Sequence, residues 1–293
     1  MDHARLGVPP LNTALPIDLH MHSAASDGIL PPAGVVRRAS ELGLGAIALT
    51  DHDTVDGVAE AVSEGERRSV RVVSGCEFST AAPWGEMHVL GYFLPVDDPM
   101  LNGFLVRRRE DRVRRAREMV QGLQAWGVDV SFDHVAAEAG NAAIGRPHLA
   151  RVLVRLGKVA SVESAFREWL GRGRPAYVEK ALPTFRDVAD LVHSVGGIVS
   201  AAHLKERGTR VTLTAFRDEG LDAVETRHPS HSGDTRARLT ALAAALGLLR
   251  TGGSDWHGEE NGEGGHAMLG SQTVPAEWLE SLDRSRSERR ASG

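Results

Sequence analysis

The stretch PIDLHMH, residues 16–22, begins as an apolar segment and ends in two histidines. Its first residues are predicted to form a strand, with the histidines at the carboxyl end. Because residues two apart on a strand point to the same side, His20 and His22 are placed to bind one metal ion. Asp255 and His257 repeat this spacing near the other end of the chain. The two pairs together predict a metal site assembled from strand ends.

Further short apolar stretches indicate strands along the chain, and most of them are separated by helical patterns. The predicted strands after the first lie at 45–50, 70–77, 87–93, 197–202, 221–226 and 248–254. Two prolines predict a helix from Pro31 to about Leu42, since proline suits the first helical turn. A second helix is expected from about Thr54. Strands that alternate with helices predict an α/β protein with a mainly parallel sheet or barrel.

The middle of the chain interrupts this alternation, because the pattern from about 97 to 183 is almost entirely helical. We expect 98–182 to form a helical insertion or lid between strands four and five. The segments 16–97 and 183–278 are then the two parts of one discontinuous barrel domain.

The two termini carry no pattern of a packed element. Residues 1–15 contain no apolar segment of signal-peptide length, and no later stretch approaches the length of a membrane span. We therefore expect a flexible N-terminus and a cytoplasmic protein. The last residues, 279–293, are polar and alternately charged, which predicts a flexible tail.

Composition argues against one class of protein, leaving open a local basic patch, and excludes cysteine-based sites. The chain has 293 residues and a net charge of -5, which is not the balance of a protein built for wholesale nucleic-acid binding. Its single cysteine, Cys76, excludes a disulfide within the chain and a zinc site made of cysteines.

Acidic and histidine side chains lie at or just after the ends of most predicted strands, and one more, His88, lies within strand four. In chain order they are His20, His22, Asp27, Asp51, His52, Asp53, Glu77, His88, His203, Asp255 and His257. In a parallel barrel the carboxyl ends of the strands meet on one face, so these residues are expected to converge. So many potential ligands exceed the needs of one ion and indicate a cluster of two or three metals. Imidazole and carboxylate without thiolate suit manganese, zinc or iron.

Paired metals favour hydrolysis of phosphate esters, because they lower the pKa of a shared water and hold the phosphoryl oxygens as charge develops. A carboxylate such as Glu77 can bridge two ions, since each oxygen can serve one of them. Each residue taken alone has a plainer interpretation. A histidine at a strand end is usually a hydrogen-bonded polar residue, and Asp53 can cap the following helix. The recurrence at nearly every strand end favours the metal cluster.

These residues lie in motifs that resemble the polymerase-and-histidinol-phosphatase (PHP) family of metal-dependent phosphoesterases. The motifs run in order from Asp18 to Gly258: DLHMHSAASDG, ALTDHDTVDG, GCEFS, HVLGYF, GRPHLA and GGSDWHG. The helical segment that begins with GRPHLARVLVRLGKV, and the HPSH run at His228–His231, are similar to the subgroup of 3′,5′-nucleoside bisphosphate phosphatases and a 5′→3′ exoribonuclease. The resemblance implies the PHP fold, a distorted (β/α)7 TIM-like barrel with a helical insertion between strands four and five.

The resemblance also implies which residues bind metal. The implied sets are His20, His22, Glu77 and Asp255 for one ion, Glu77, His88 and His148 for a second, and Asp27, His52 and His257 for a third. His148 lies in the helical insertion, outside the strand pattern. Two or three divalent ions per chain are implied, with Mn²⁺ favoured and Zn²⁺, Fe²⁺ or Mg²⁺ as alternatives.

Catalytic and substrate-binding roles are implied in the same way. The expected catalytic residues are Glu77, Asp255 and His203. The residues expected to bind substrate phosphates are Arg146, Lys158, His203 and His231. A nucleotide with two phosphates needs positive charge away from the metals, which these side chains would supply.

The leading functional hypothesis is hydrolysis of a nucleotide phosphate ester by a hydroxide that bridges the metals. The substrates would be 3′,5′-nucleoside bisphosphates, giving nucleoside monophosphate and phosphate, and/or short RNA trimmed in the 5′→3′ direction. Two alternatives stay open. One is a phosphomonoesterase for a small metabolite such as histidinol phosphate, and the other is a PHP module that binds metal or nucleic acid without catalysis. No membrane or protein partner is indicated.

Arginine is concentrated in residues 107–117. One interpretation is a track for an RNA backbone that leads to the site. The other, which we favour, is the solvated face of an amphipathic helix. The residues expected to turn inward from that helix are Leu101, Phe104, Leu105, Met119 and Val120.

Overall fold

The computed structural model describes residues 11–140, 142, 144–258 and 267–292, so most of the predicted flexible segment 1–15 lies outside the described residues. A sheet of seven strands follows the order of the chain, each strand beside the next. The strands are β1 Ile17–Asp18, β2 Ala46–Leu49, β3 Arg71–Ala82, β4 Gly85–Tyr92, β5 Ile198–Ala201, β6 Ala223–Arg227 and β7 Leu249–Gly252. Each overlaps one of the predicted strands.

Helices occupy most of the segments between the strands. The described α-helices are α1 Pro32–Glu41, α2 Val58–Arg68, α3 Pro99–Ala125, α4 Phe132–Ala139, α5 Arg146–Arg155, α6 Val162–Ala165, α7 Phe185–Ser194, α8 Arg210–Asp218, α9 Gly233–Leu246 and α10 Ala276–Ser292. A π-helical turn, Phe166–Leu170, continues α6, and a short 3-10 helix spans Lys205–Arg207. Helix α2 begins later than the predicted Thr54, because Asp53 has a left-handed backbone (φ 49°) and the chain turns before the helix starts. The N-cap of α2 is Gly57, so Asp53 does not cap it.

Strand β4 departs from the parallel pattern. β1, β2 and β3 are parallel, β4 runs antiparallel to both β3 and β5, and β5, β6 and β7 are parallel again. β3 and β4 form a hairpin in which Ser79 lies opposite His88. The sheet is therefore mixed. His88 comes from within an antiparallel strand and not from a carboxyl end of a parallel one.

The chain after β1 meets the chain after β7. The N–H of Asp255 donates to the carbonyl oxygen of His20 (2.8 Å), and the N–H of His22 donates to that of Trp256 (2.8 Å). This approach requires glycine at 253, where a Cβ would lie 2.3 Å from the His20 nitrogen. The sheet is thus nearly closed into a barrel, with helices α3 to α7 between β4 and β5.

The chain divides into two compact units, each with its own hydrophobic core. Unit 1 comprises Met1–Asn102 and Leu182–Gly293, and unit 2 comprises Gly103–Ala181. The core of unit 1 includes Ile17, Leu19, Leu90, Tyr92, Ile198 and Ala223 from the sheet. The core of unit 2 includes Met119, Leu123, Val135, Leu149, Leu153 and Leu170 from its helices.

The C-terminal segment is wrongly predicted as a flexible tail at 279–293. It forms α10, and the side chains of Leu279 and Leu282 are fully buried in the core of unit 1. Asp283 also pairs with Arg71 of β3 at 2.7 Å. The sequence pattern does not reveal this helix, because only a few of its residues are apolar and Arg71, the partner of Asp283, is distant in the sequence.

Candidate metal centre

His20 and His22 lie at one end of the barrel, with ring centroids 5.3 Å apart and both side chains fully buried. His22 Nε2 lies 3.1 Å from Asp255 Oδ1 and 3.2 Å from Glu77 Oε2. His20 Nε2 lies 3.3 Å from Glu77 Oε2 and 3.4 Å from Asp255 Oδ1. The structure therefore brings together the four residues implied for the first metal.

Glu77, fully buried on β3, lies at the centre of the cluster. Its Oε2 faces the two histidines just described and also His52, whose Nδ1 is 3.2 Å away. Its Oε1 lies 2.9 Å from His88 Nδ1 and 3.0 Å from His203 Nε2. Because its two oxygens face different sets of imidazoles, Glu77 is placed as a bridging carboxylate would be.

A further group surrounds Asp27. His257 Nε2 lies 3.4 Å from Asp27 Oδ1, and His52 Nε2 lies 3.9 Å from Asp27 Oδ2. His22 Nδ1 is 4.0 Å from Asp27 Oδ1, and the His22 ring stacks on His257 at 4.2 Å. The set implied for a third metal thus comes together, and His22 lies beside it.

Several buried atoms of this cluster lack hydrogen bonds. Within the described part of the chain, His20 Nε2, His22 Nδ1, His52 Nδ1 and Glu77 Oε2 have no hydrogen-bond partner of acceptable geometry. Buried polar atoms are costly when unpaired, and coordination of a cation satisfies them. Imidazole nitrogens and carboxylate oxygens are suitable donors for divalent manganese, zinc or iron. The residues present therefore fit a cluster of divalent metals.

The electrostatics of the cluster favour added positive charge. Burial opposes ionisation of Glu77, yet His52, His88 and His20 outweigh it and hold the pKa of Glu77 well below its usual range. Burial also disfavours the charged form of His22, but Asp255 and Glu77 outweigh it and raise the pKa of His22 to about 10. In a metal-free protein, protonated histidines would thus balance the buried carboxylates. Divalent cations would supply the same balance.

The structure also places Glu225 and His228 in the site, although neither is among the predicted site residues. Glu225 is fully buried on β6, and its Oε1 lies 3.0 Å from His20 Nδ1. His228 Nε2 lies 3.2 Å from Asp255 Oδ2. The sequence holds an indication for both residues. Glu225 is a carboxylate directly after the apolar pair Ala223 and Val224 of β6, and His228 directly follows that strand, as other histidines of the site follow theirs.

His203 and His231 occupy different environments. His203 follows β5, and about a quarter of its side chain is exposed. His231 is buried, its Nε2 accepts the N–H of Lys205 (3.3 Å), and its Nδ1 lies 3.4 Å from the Thr226 carbonyl oxygen. Both ring nitrogens of His231 therefore contact the backbone, and its binding of substrate phosphate stays a prediction.

The remaining predicted residues belong to unit 2. Arg146 is the first residue of α5. His148 is buried in the first turn of that helix, where its Nδ1 accepts the N–H of Gly145 (3.0 Å). Lys158 is exposed after the helix ends. The roles of His148 as a metal ligand, and of Arg146 and Lys158 as phosphate-binding residues, stay predictions.

A model of the PHP domain matches residues 18–193. The chain belongs to the PHP domain family. The 5′-3′ exoribonuclease Rnm of Escherichia coli is 32% identical to this PHP protein over 253 residues, which cover 84% of this chain and 86% of the relative. The 3′,5′-nucleoside bisphosphate phosphatase of Chromobacterium violaceum is 34% identical over 267 residues, with 88% and 92% covered.

A crystal structure from Bifidobacterium adolescentis, assigned as a metal-dependent phosphoesterase, resembles this PHP protein with a TM-score of 0.82. It is 30% identical, and the match covers 94% of this chain and 96% of the other. These comparisons confirm the predicted family and the TIM-like barrel. They also show that this PHP protein is a metal-dependent phosphoesterase, a hydrolase that acts on phosphate esters. No helix among the described residues is long and apolar enough to cross a membrane.

Proposed function

We propose that this PHP enzyme hydrolyses nucleotide phosphate esters. It converts 3′,5′-nucleoside bisphosphates and water to nucleoside monophosphate and phosphate, and/or trims short RNA in the 5′→3′ direction. The observation that carries the proposal is the extent of the similarity to two relatives named for those reactions. The two matches cover 84% and 88% of the chain, which is more of the chain than unit 1 contains. The similarity to both relatives therefore extends into unit 2.

The buried cluster supports a metal-dependent reaction of this kind. The proposed ligands are His20, His22, Asp27, His52, Glu77, His88, His148, Asp255 and His257. Bound divalent metals, with Mn²⁺ proposed first, would stabilise charge on the phosphoryl oxygens and lower the pKa of water. Elemental analysis of protein purified without added metal tests this assignment.

The chain's own residues would hold and orient the reacting groups. Glu77 is buried and ionised, and its two oxygens fix imidazoles on both sides of it. Asp255 is held between His22 Nε2 (3.1 Å) and His228 Nε2 (3.2 Å). His203 combines a contact to Glu77 with partial exposure, so its ring can give a proton to the leaving oxygen.

A substrate panel tests the proposal directly. The panel contains an adenosine 3′,5′-bisphosphate, a short 5′-phosphorylated RNA and histidinol phosphate, each with manganese, magnesium and zinc in turn. We expect kcat/KM for one or both nucleotide substrates to exceed that for histidinol phosphate by at least about tenfold. Asp255→Asn serves as the inactive control, since it keeps the side-chain volume and removes the charge.

Efficient hydrolysis of histidinol phosphate, with no product from either nucleotide substrate, would replace this proposal by a metabolite phosphatase. Activity that persists in Asp255→Asn would show that a contaminant was measured or that Asp255 is dispensable. Nucleotide or RNA binding with metal present, but without product from any member of the panel, would favour a binding module.

A further inference from the structure

Glu225 is a fully buried carboxylate that is not among the proposed metal ligands. It lies on β6 beside the buried apolar residues Ala223 and Val224, and its own side chain is fully buried. A carboxylate removed from water costs free energy unless hydrogen bonds compensate it. The groups that contact the Glu225 carboxylate must therefore compensate the cost of its burial.

Both oxygens of Glu225 are engaged by residues of the candidate site. Oε1 lies 3.0 Å from His20 Nδ1, with both side chains fully buried. Oε2 accepts the backbone N–H of His203 at 2.8 Å. One carboxylate therefore joins a proposed metal ligand to the residue proposed to donate a proton.

The first contact decides which nitrogen of His20 faces the cluster. A neutral imidazole carries one N–H, and a carboxylate beside Nδ1 favours the proton on Nδ1. The other nitrogen, Nε2, is then bare. It is also the atom that lies 3.3 Å from Glu77 Oε2 and that has no hydrogen-bond partner among the residues the structure describes.

The second contact holds the backbone at His203 in an unusual conformation. His203 has φ 29°, within the left-handed region that residues with a Cβ seldom adopt. Such a conformation persists where surrounding contacts maintain it. With its N–H held by Glu225, the His203 ring lies with Nε2 3.0 Å from Glu77 Oε1.

We propose that Glu225 is a positioning residue of the metal centre: it keeps His20 with Nδ1 protonated and Nε2 directed at the metals, and it holds His203 beside Glu77. The inference rests on the proposed role of His20 as a ligand and is independent of which nucleotide is the substrate. Glu225, His20 and His228 also lie close enough to hold a cation themselves, so direct ligation by Glu225 is the competing role.

The nitrogen atoms of His20 distinguish the two roles. In zinc-loaded protein with ¹⁵N-labelled histidine, a positioning role predicts an Nδ1–H resonance for His20, assigned by its loss in His20→Ala. It also predicts that Glu225→Gln shifts this resonance, because the acceptor becomes a neutral amide. A His20 that carries its proton on Nε2 and metal on Nδ1 would overturn the proposal in favour of direct ligation.

Metal affinity supplies a second readout that does not involve a nucleotide. We expect Glu225→Ala to weaken binding of the affected ion by about 10–100-fold, measured by competition with a chelator, and Glu225→Gln to weaken it less. The matched control is Ser200→Ala, which alters a buried polar residue of β5 whose Oγ bonds Thr251 Oγ1 and no proposed ligand. It should leave metal affinity unchanged.

Unchanged metal affinity and an unshifted His20 resonance in folded Glu225→Gln would overturn the proposal. Because this variant keeps the volume of the side chain, it decides the question even if Glu225→Ala does not fold. Neither the His20 resonance nor the metal affinity depends on a nucleotide substrate. A negative result in the substrate panel would therefore contradict the proposed function without contradicting the positioning role of Glu225.

Discussion

The barrel-end cluster and the arginine-rich part of α3 are both dense in ionisable side chains, and they place these side chains in opposite environments. In the cluster, Glu77 and His22 are fully buried and contact residues from distant strands. On α3, about half of the Arg114 side chain is exposed, and it pairs with Glu118 one turn away at 2.8 Å. The cluster depends on tertiary structure, whereas the Arg114–Glu118 ion pair is local to α3.

This difference indicates which charged side chains of the molecule we expect to serve its function. Buried charges require specific compensation, so they are retained where they hold a ligand or perform chemistry. Exposed pairs along a helix are screened by water and contribute little. The burial of Leu105, Met119 and Val120, with Arg107 and Arg109 exposed, fits a solvated helix face for most of 107–117. Arg115 is the exception in this stretch, because it is buried and its Nε donates to the Val178 carbonyl oxygen (2.7 Å).

The largest effect is expected from Glu77→Ala. Loss of the carboxylate at the centre of the cluster should reduce kcat/KM by at least about 10³-fold, measured by phosphate release, with circular dichroism to verify folding. Glu64→Ala is the matched control, because Glu64 is a buried carboxylate that pairs with Arg67 and Arg68 of its own helix and is not a proposed ligand. Its loss should change kcat/KM by less than about threefold, since it lies outside the cluster. Activity of Glu77→Ala within tenfold of wild type would contradict the central role.

An intermediate effect is expected from the pH dependence of metal binding. Burial lowers the pKa of His22 and His88, but neighbouring carboxylates outweigh it and raise the two values to about 10 and about 9 in metal-free protein. Both rings are then protonated at about pH 8 and must lose a proton to bind metal. Metal affinity should therefore rise with pH up to about 10 and level off above it.

Calorimetry of chelator-treated protein, with metal added in two buffers of different ionisation enthalpy, measures the protons released. Release should be clear at about pH 8 and nearly absent above about pH 11. Metal binding at the lower pH with no proton release would show that these imidazoles are neutral or that they do not bind the metal.

The smallest effect is expected on α3. The variant R107A/R109A/R114A should keep KM for short RNA and for the bisphosphate within about twofold of wild type, because screened surface charges contribute little. If the helix were a track for RNA, KM for RNA alone should rise, with a weaker dependence on salt. That outcome would reverse the interpretation of the arginine-rich stretch.

Local patterns predict the elements of this chain well and their spatial relations less well. The apolar stretches identify all seven strands, because each is short, buried and bounded by turn or helix residues. The antiparallel course of β4 is not visible locally, since strand direction depends on hydrogen-bond partners elsewhere in the chain. Helix α10 escapes prediction for a related reason, because its stability comes from burial of Leu279 and Leu282 against distant elements.

By itself, the sequence determined the family, the barrel and the chemical types of the site residues, since imidazole and carboxylate groups at strand ends can be read from spacing and motifs. Tertiary structure decided which of these groups meet. It placed Glu77 between two sets of imidazoles, and it brought Glu225 within 3.0 Å of His20 across 205 residues of sequence. The physical reason is that closure of the barrel sets these distances, and closure is a property of the whole sheet.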